Sequence, residues 1–439
     1  MEDICHDLSP LGTQPSNVQL STEMQLAASE VLHRLREHAI PPNTLKALRT
    51  VLGYWNRWHQ AAYQTRLGLL ESPPVPVSPD TVLVFIAHHA AITSEEPDGS
   101  SHVATGMPAQ VRERLGCGAV HVCRKVAKRN KSDARIDDDV PAIKTVLQRV
   151  SLLGTLHERM GLPKPHADQR IGRALTLLRK ATARTVPAAL PHSKHALRIE
   201  EFQGLLQACG HDIRSGGRKA WIALRDRALL LSGFGSGRRR SEISNMNIEH
   251  LQHGTVRLST GRSCKCIWWH IYTLKGRVSD RGDMPLLSVP LIGAPRQALL
   301  TWLDILRDQG FDRGPVWRNM RNGKKIPRGR TILGKRLQPR SVARIVQERA
   351  MQAAPRLFQD WKRLDASERS TRLKAYVESI GAHSLRSGFV TSGLEAGINP
   401  IDLAKMTVHS SLSSFRIYDQ RRVERNAAVD MMLQLRLGQ

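Results

Sequence analysis

Five side chains in this sequence could together carry phosphoryl transfer. Arg239 stands in Gly237-Arg-Arg239-Arg-Ser241-Glu242-Ile243. His383 and Arg386 frame His383-Ser-Leu-Arg386, His409 opens a His-Ser-x-Leu turn, and Tyr418 follows in Ile417-Tyr418. A phosphodiester repels nucleophiles, and more negative charge builds on its free oxygens in the transition state. Guanidinium groups answer that need because they are planar, permanently charged and bidentate toward phosphate oxygens. Two histidines can hold or move protons, and a phenol can attack phosphorus. Such a set could cut and rejoin a phosphodiester with neither metal nor ATP.

Each piece alone says little. His-x-x-Arg also occurs at His33/Arg36, His121/Arg124, His195/Arg198 and His211/Arg214. The weight lies in order and spacing, and so in the elements that carry the residues. Gly233-Phe-Gly-Ser-Gly237 reads as a flexible turn that places Arg239 at the start of a short helix. Among three consecutive arginines, Arg239 is chosen because it stands two before Ser241-Glu242, and Arg238 and Arg240 are expected to tolerate lysine. His383 and Arg386 open another helix. Gly397-Ile-Asn399-Pro400 reads as a helix stop, an N-cap and a first-turn proline, which ends that helix and begins the next. Of the five tyrosines (54, 63, 272, 376 and 418), only Tyr418 stands close behind the histidine blocks.

The rest of the pattern is mainly α with a small antiparallel β-sheet. Residues 1–20 are rich in Ser, Pro, Gln and Asn and read as a disordered tail. Residues 21–185 read as a helical domain. Leu45, Leu48, Leu52, Trp55 and His59 share one face, Ser78-Pro79 opens a helix, and Ala142, Val146, Val150 and Leu153 mark another. The stretch 93–110 reads as a loop. Two prolines mark 186–198 as a linker, and 199–439 forms the second domain. There Thr255–Leu258, Ile267–Leu274 and Met284–Pro290 are the sheet. Residues 355–380 read as an insertion without an assigned role.

Charge names the class of partner. With 66 Lys and Arg against 39 Asp and Glu, the net charge is +27, which points to a polyanion. No apolar run is long enough to span a membrane, and the acidic start Met1-Glu-Asp-Ile-Cys-His-Asp has no signal-like apolar segment, so a cytoplasmic protein is expected. The six cysteines form no Cys-x-x-Cys pair and the histidines do not cluster at ligand spacing, so no metal or cofactor is expected. Two basic runs stand out. In 124–135, six cations meet one acid, with Lys125, Lys128 and Arg129 at its centre. In 313–349, twelve cations meet only Glu348, with Arg340 and Arg344 on a helix that starts near Pro339. Both are assigned to DNA-backbone contact.

In order and spacing, the Arg239, His383/Arg386 and His409/Tyr418 blocks resemble those of the tyrosine recombinases, the phage-integrase family. The resemblance covers about 195–435 well and the preceding segment more loosely. It implies a helical core-binding domain joined to a catalytic domain as a two-domain DNA clamp, with strand cleavage through a 3′-phosphotyrosyl intermediate. Tyr418 would be the nucleophile, His383 the general base, and His409 a donor to the scissile phosphate. Lys275, in Thr273-Leu-Lys275-Gly-Arg, resembles the family's β-hairpin lysine that protonates the departing 5′-oxygen; Lys265 is a rival that precedes the strand. Glu242 would orient the site. Double-stranded DNA is the implied partner, bound by a tetramer whose tail at 421–437 docks on a neighbour, with accessory proteins or sister recombinases alongside. Integration for a mobile element is the implied setting. A type IB topoisomerase, a telomere resolvase, or a non-catalytic DNA-binding accessory subunit are the alternatives. One departure stands out: the family usually has glycine before the third-block histidine, and here it is Val408.

Overall fold

The computed structural model describes residues 41–95, 101–116, 135–136, 140–185, 194–274, 277–278, 284–320 and 332–408. The basic run around Lys125, Lys128 and Arg129, together with Lys275, His409, Tyr418, the amino-terminal tail and the segment 421–437, lies outside them. The chain divides into two compact units between His192 and Ser193. Its secondary structure is mainly helical with small, chiefly antiparallel sheets.

The first unit is built on α1 (Pro42–Tyr63), α2 (Pro79–His88), α3 (Ala109–Leu115), α4 (Ile143–Arg159) and α5 (Gln169–Thr185). The apolar stripe of α1 faces inward, with Leu48, Leu52 and Trp55 buried. Trp55 stacks on Phe85 of α2 at 3.8 Å between ring centroids. Ser78 caps α2 by accepting the Thr81 amide at 3.2 Å, ahead of Pro79. The stretch from residue 93 is not a simple loop. β1 (Ala91–Glu95) pairs antiparallel with β2 (Ser101–Thr105), and β3 (Arg135–Ile136) adds in parallel. Its Ser, Glu, Pro and Gly content masked a hairpin anchored by Val103, which is buried against Val140.

The second unit carries the site. α6 (Ile199–Arg214) and α7 (Gly217–Ser236) lead into the short α8 (Arg240–Ser244). The sheet follows, with β5 (Ser263–Ile271) between β4 (Leu251–Arg257) and β8 (Leu287–Leu291), both antiparallel to it. Trp269 of β5, opposite Leu251 and Val289, is buried at its centre. The minimal pair β6 (Thr273–Leu274) and β7 (Arg277–Val278) flanks Lys275 in sequence. After α9 (Gly293–Asp308) and the ribbon of β9 (Arg318–Met320) with β10 (Ile332–Arg336), the chain runs through α10 (Pro339–Leu357), α11 (Ala366–Ser379), α12 (Ala382–Glu395) and α13 (Pro400–Thr407).

Two glycines at 233 and 235 do not make the expected flexible turn. α7 continues through them to Ser236, because a missing Cβ lets neighbours close in. A Cβ at Gly233 would lie 2.9 Å from Ile243 Cδ1 and 3.1 Å from Leu385 Cδ1. Packing across helices outweighs the low helix propensity of glycine here.

The segment 355–380 gains a structural setting. The end of α11 lies against residues 194–195: the His195 amide donates to the Ser379 carbonyl at 3.0 Å, and Lys194 donates to the Glu378 carbonyl. The chain then crosses α12. The Leu197 amide donates to the Ser384 carbonyl at 3.2 Å, and Arg198 pairs with Glu395 at 3.3 Å. Gly388 makes the crossing feasible, since a Cβ there would sit 2.0 Å from the Leu197 carbonyl oxygen. Gly388→Ala is therefore expected to cost about 3 kcal/mol or more, read as a lowered denaturation midpoint. A stability within 1 kcal/mol of wild type (roughly the scatter of ordinary substitutions) would show that this crossing is not tight.

Part of the second basic run is architectural. Arg349 is buried and bridges Asp226 at 2.8 Å and Asp212 at 2.6 Å. Burial opposes its charge, but the two carboxylates outweigh burial and raise its pKa. Arg318 donates to the Gly334 and Arg313 carbonyls and lies over the Phe311 ring. Arg336 donates to the Ser244 carbonyl and to Asn247. These three tie helices and ribbon together rather than facing outward.

Candidate active site

The site is organised by one turn, Gly237 to Arg239. Gly237 ends α7 in the left-handed region at φ 61°. A Cβ there would come 2.7 Å from Phe389 Cδ1 and 2.8 Å from Thr407 Cγ2, so both its dihedrals and its surroundings require glycine. Its carbonyl accepts Nη1 of Arg386 at 3.0 Å. Two distant blocks are thereby joined.

Arg239 is the N-cap of α8. Its amide donates to Glu242 Oε2 at 3.1 Å, and its Nη1 donates to Oε1 at 3.1 Å. The Glu242 carboxylate, with 3% of its side chain exposed, fixes a guanidinium that keeps 31% exposure. Glu242 is thus buried behind a partly exposed arginine.

His383 and Arg386 lie one turn apart near the start of α12. Arg386 is buried, while His383 is exposed. The pKa of His383 is lowered, first by desolvation on its packed side and then by the charges of Arg386 and Arg239. Both arginines therefore act on the same imidazole, and the three side chains share one neighbourhood. The neutral ring is favoured near pH 7, and that form can accept a proton. Because the folded protein binds this proton less readily than the unfolded chain, His383 costs stability as pH falls below the ordinary histidine range. Titration of His383 in the free protein by NMR is expected to give a midpoint below 6.5. A midpoint above that value would mean the arginines are not oriented toward it.

The helix that follows leads toward the third block. α13 opens with Asn399, whose Oδ1 accepts the Ile401 amide at 2.9 Å, and with Pro400 in the first turn, after Gly397 at φ 77°. It ends at Val408, which sits in the left-handed region at φ 51°, ψ 56°. A β-branched residue there is a conformational outlier, where glycine would be unstrained. Arg238, expected to be replaceable, is instead fully buried beside Glu242 and donates to the Met406 carbonyl. No pattern in the sequence separated it from Arg240, which is exposed.

Arg340 and Arg344 are exposed on one face of α10, opposite the buried Val342, Ile345 and Val346, and Arg344 pairs with Glu348 at 3.5 Å. Lys265 lies within β5 opposite Thr255, not before the strand. Tyr376 is directed to Glu201 at 3.5 Å, and burial with that carboxylate raises its pKa, which works against a nucleophilic role. Tyr272 packs against His250. Among the described residues, no group of His, Cys, Asp and Glu is placed to hold a metal ion, and no helix is long and apolar enough to cross a membrane.

No family model matches the chain. It is similar to an integrase/recombinase, a XerD homologue of Selenomonas ruminantium, at 24% identity over 306 residues, covering 67% of this chain and 73% of that protein. Solved structures resembling it include the XerH site-specific recombinase in a pre-cleavage complex with its difH substrate, at 15% identity and TM-score 0.34, covering 88% of this chain and 96% of that one. Another is a Tn1549 transposon integrase variant in complex with transposon right end DNA, at 13% identity and TM-score 0.45, covering 94% and 99%. The family that this chain resembles is that of the tyrosine recombinases, and the curated relative is of the Xer kind.

Proposed function

We propose that the protein is a site-specific DNA recombinase or integrase that cuts and rejoins strands through a 3′-phosphotyrosyl intermediate. The observation that carries this reading is the convergence of Arg239, Arg386 and His383 about the Gly237 turn, with Glu242 buried behind Arg239. Arg239 and Arg386 would hold the free oxygens of the scissile phosphate, and His409 would donate to it. Tyr418 attacks phosphorus, losing its proton toward His383. The bond to the 5′-oxygen breaks as Lys275 protonates it. The reverse sequence, with a 5′-hydroxyl from another strand, reseals DNA without loss of bond energy. The roles of Lys275, His409 and Tyr418 rest on the family resemblance.

Both units would grip double-stranded DNA as a clamp. Arg340 and Arg344 of the second unit and Lys125, Lys128 and Arg129 of the first are the proposed backbone contacts. Neutralising the latter three together should weaken binding across all sequences. It should also lower the slope of log affinity against log salt by about 0.9 per lost phosphate contact. An unchanged slope would remove these residues from the interface. Strand exchange would take place in a tetramer on two sites in the cytoplasm, in the service of a mobile element.

A pool of nicked suicide duplexes of random sequence tests the class of activity. The nick lets the short fragment diffuse away, so a covalent intermediate accumulates. A recombinase should retain DNA in denaturant-resistant, protease-sensitive form, enriched for one sequence. Capture without sequence enrichment, together with relaxation of any plasmid, would favour a type IB topoisomerase. Tight DNA binding without covalent capture would favour an accessory subunit.

A further inference from the structure

Arg238 is an expensive residue to bury. It is 0% exposed, and desolvation pushes its pKa down to about 10. An apolar side chain of similar size would fill the same space at lower cost. Its contacts indicate what carbon could not supply. Nη2 donates to the Met406 carbonyl, in the last turn of α13. Nε donates to the Ser236 carbonyl at 3.3 Å, in the last turn of α7. Nη1 lies 3.7 Å from Glu242 Oε2 and makes no hydrogen bond to the described residues. One guanidinium thus serves the carboxyl ends of two helices, where last-turn carbonyls and the helix dipole both favour a cation. α13 ends in the strained left-handed Val408, which directly precedes His409.

We propose that Arg238 is a positioning residue that caps α13 and holds the chain at Val408, the residue that directly precedes His409. The proposal rests on the recombinase reading for its catalytic consequence but not for the cap itself. Among the described residues, Arg238 bonds to backbone carbonyls and lies beside Glu242. It acts through the backbone of 406–408, while its neighbours in sequence have other contacts: Gly237 receives Arg386, and Arg239 is held by Glu242.

Arg238→Met and Arg238→Lys in the full-length chain test this. Amide hydrogen exchange over 403–408 should quicken about tenfold or more in Arg238→Met, with α12 little changed. Single-turnover cleavage should fall about 10- to 100-fold while DNA affinity stays within about threefold, because a misplaced group costs rate rather than binding. Arg238→Lys should fall between. Adding Val408→Gly to Arg238→Met should restore part of the cleavage, since glycine adopts the left-handed turn without the cap. Unchanged exchange at 403–408 would overturn the proposal. So would equal losses of cleavage, affinity and global stability without rescue by Val408→Gly. Should Arg238→Met not fold, Arg238→Lys carries the same comparison. Wild-type protein that forms no covalent adduct would count against the recombinase reading alone, and the exchange measurement would still decide the cap.

Discussion

Tyr418→Phe is expected to abolish covalent capture of DNA while leaving folding and DNA binding intact. The substitution removes one oxygen and almost no packing volume. A phosphotyrosyl mechanism has no substitute for that oxygen, so the loss should reach the detection limit. The described alternatives are poorly suited. Tyr376 is buried against Glu201, which raises its pKa, and Tyr272 packs against His250 in the sheet region. The readout is adduct yield on a nicked duplex beside a binding isotherm on the intact one. A phenylalanine variant that still forms the adduct would mean another residue attacks the phosphate.

The second large effect is expected at the two arginines. Arg239→Lys and Arg386→Lys should each lower single-turnover cleavage by about 10²–10³-fold with DNA affinity nearly kept. Lysine keeps the charge but cannot form the planar fork, so what is lost is transition-state stabilisation. The structure adds a distinction between them. Arg386 is buried with Nη1 committed to the Gly237 carbonyl, so lysine there also loses the strut between α12 and the α8 turn. Arg239 is held by Glu242 through Nη1 and stays partly exposed, and its lysine variant should fold as wild type does. Arg240→Lys, at an exposed position outside these contacts, is the control and should cleave normally. Normal cleavage by Arg239→Lys with loss in Arg240→Lys would reassign the first arginine.

What the sequence made legible follows from locality. Helix starts and stops depend on near neighbours. The Ser78-Pro79 cap, Arg239 ahead of Ser241-Glu242, and the Gly397-Asn399-Pro400 boundary were all readable for that reason. Properties set by partners far along the chain were not. Gly233 and Gly235 look like a flexible turn until Ile243, Leu385 and Pro295 are seen packed against them. Arg238 and Arg240 look equivalent until α13 arrives to bury one of them. Arg318, Arg336 and Arg349 count as surface charge until Asp212, Asp226 and a set of backbone carbonyls claim them. The hairpin at 91–105 escaped because its sequence from Thr93 to His102 is polar throughout, and among the described residues Val103 is its buried apolar anchor. Val408 was visible as a departure from the family pattern, but its left-handed conformation was not.

The most direct test of the account is to map the bond between protein and DNA. Wild-type protein trapped on a nicked suicide duplex is digested with protease and nuclease, and the residual nucleotide-bearing peptide is sequenced by tandem mass spectrometry. A single modified peptide is expected, carrying a 3′-phosphate-linked nucleotide on the phenolic oxygen of Tyr418, formed in the same yield with and without a metal chelator. Attachment at any other residue, or through a 5′-phosphate, would contradict it.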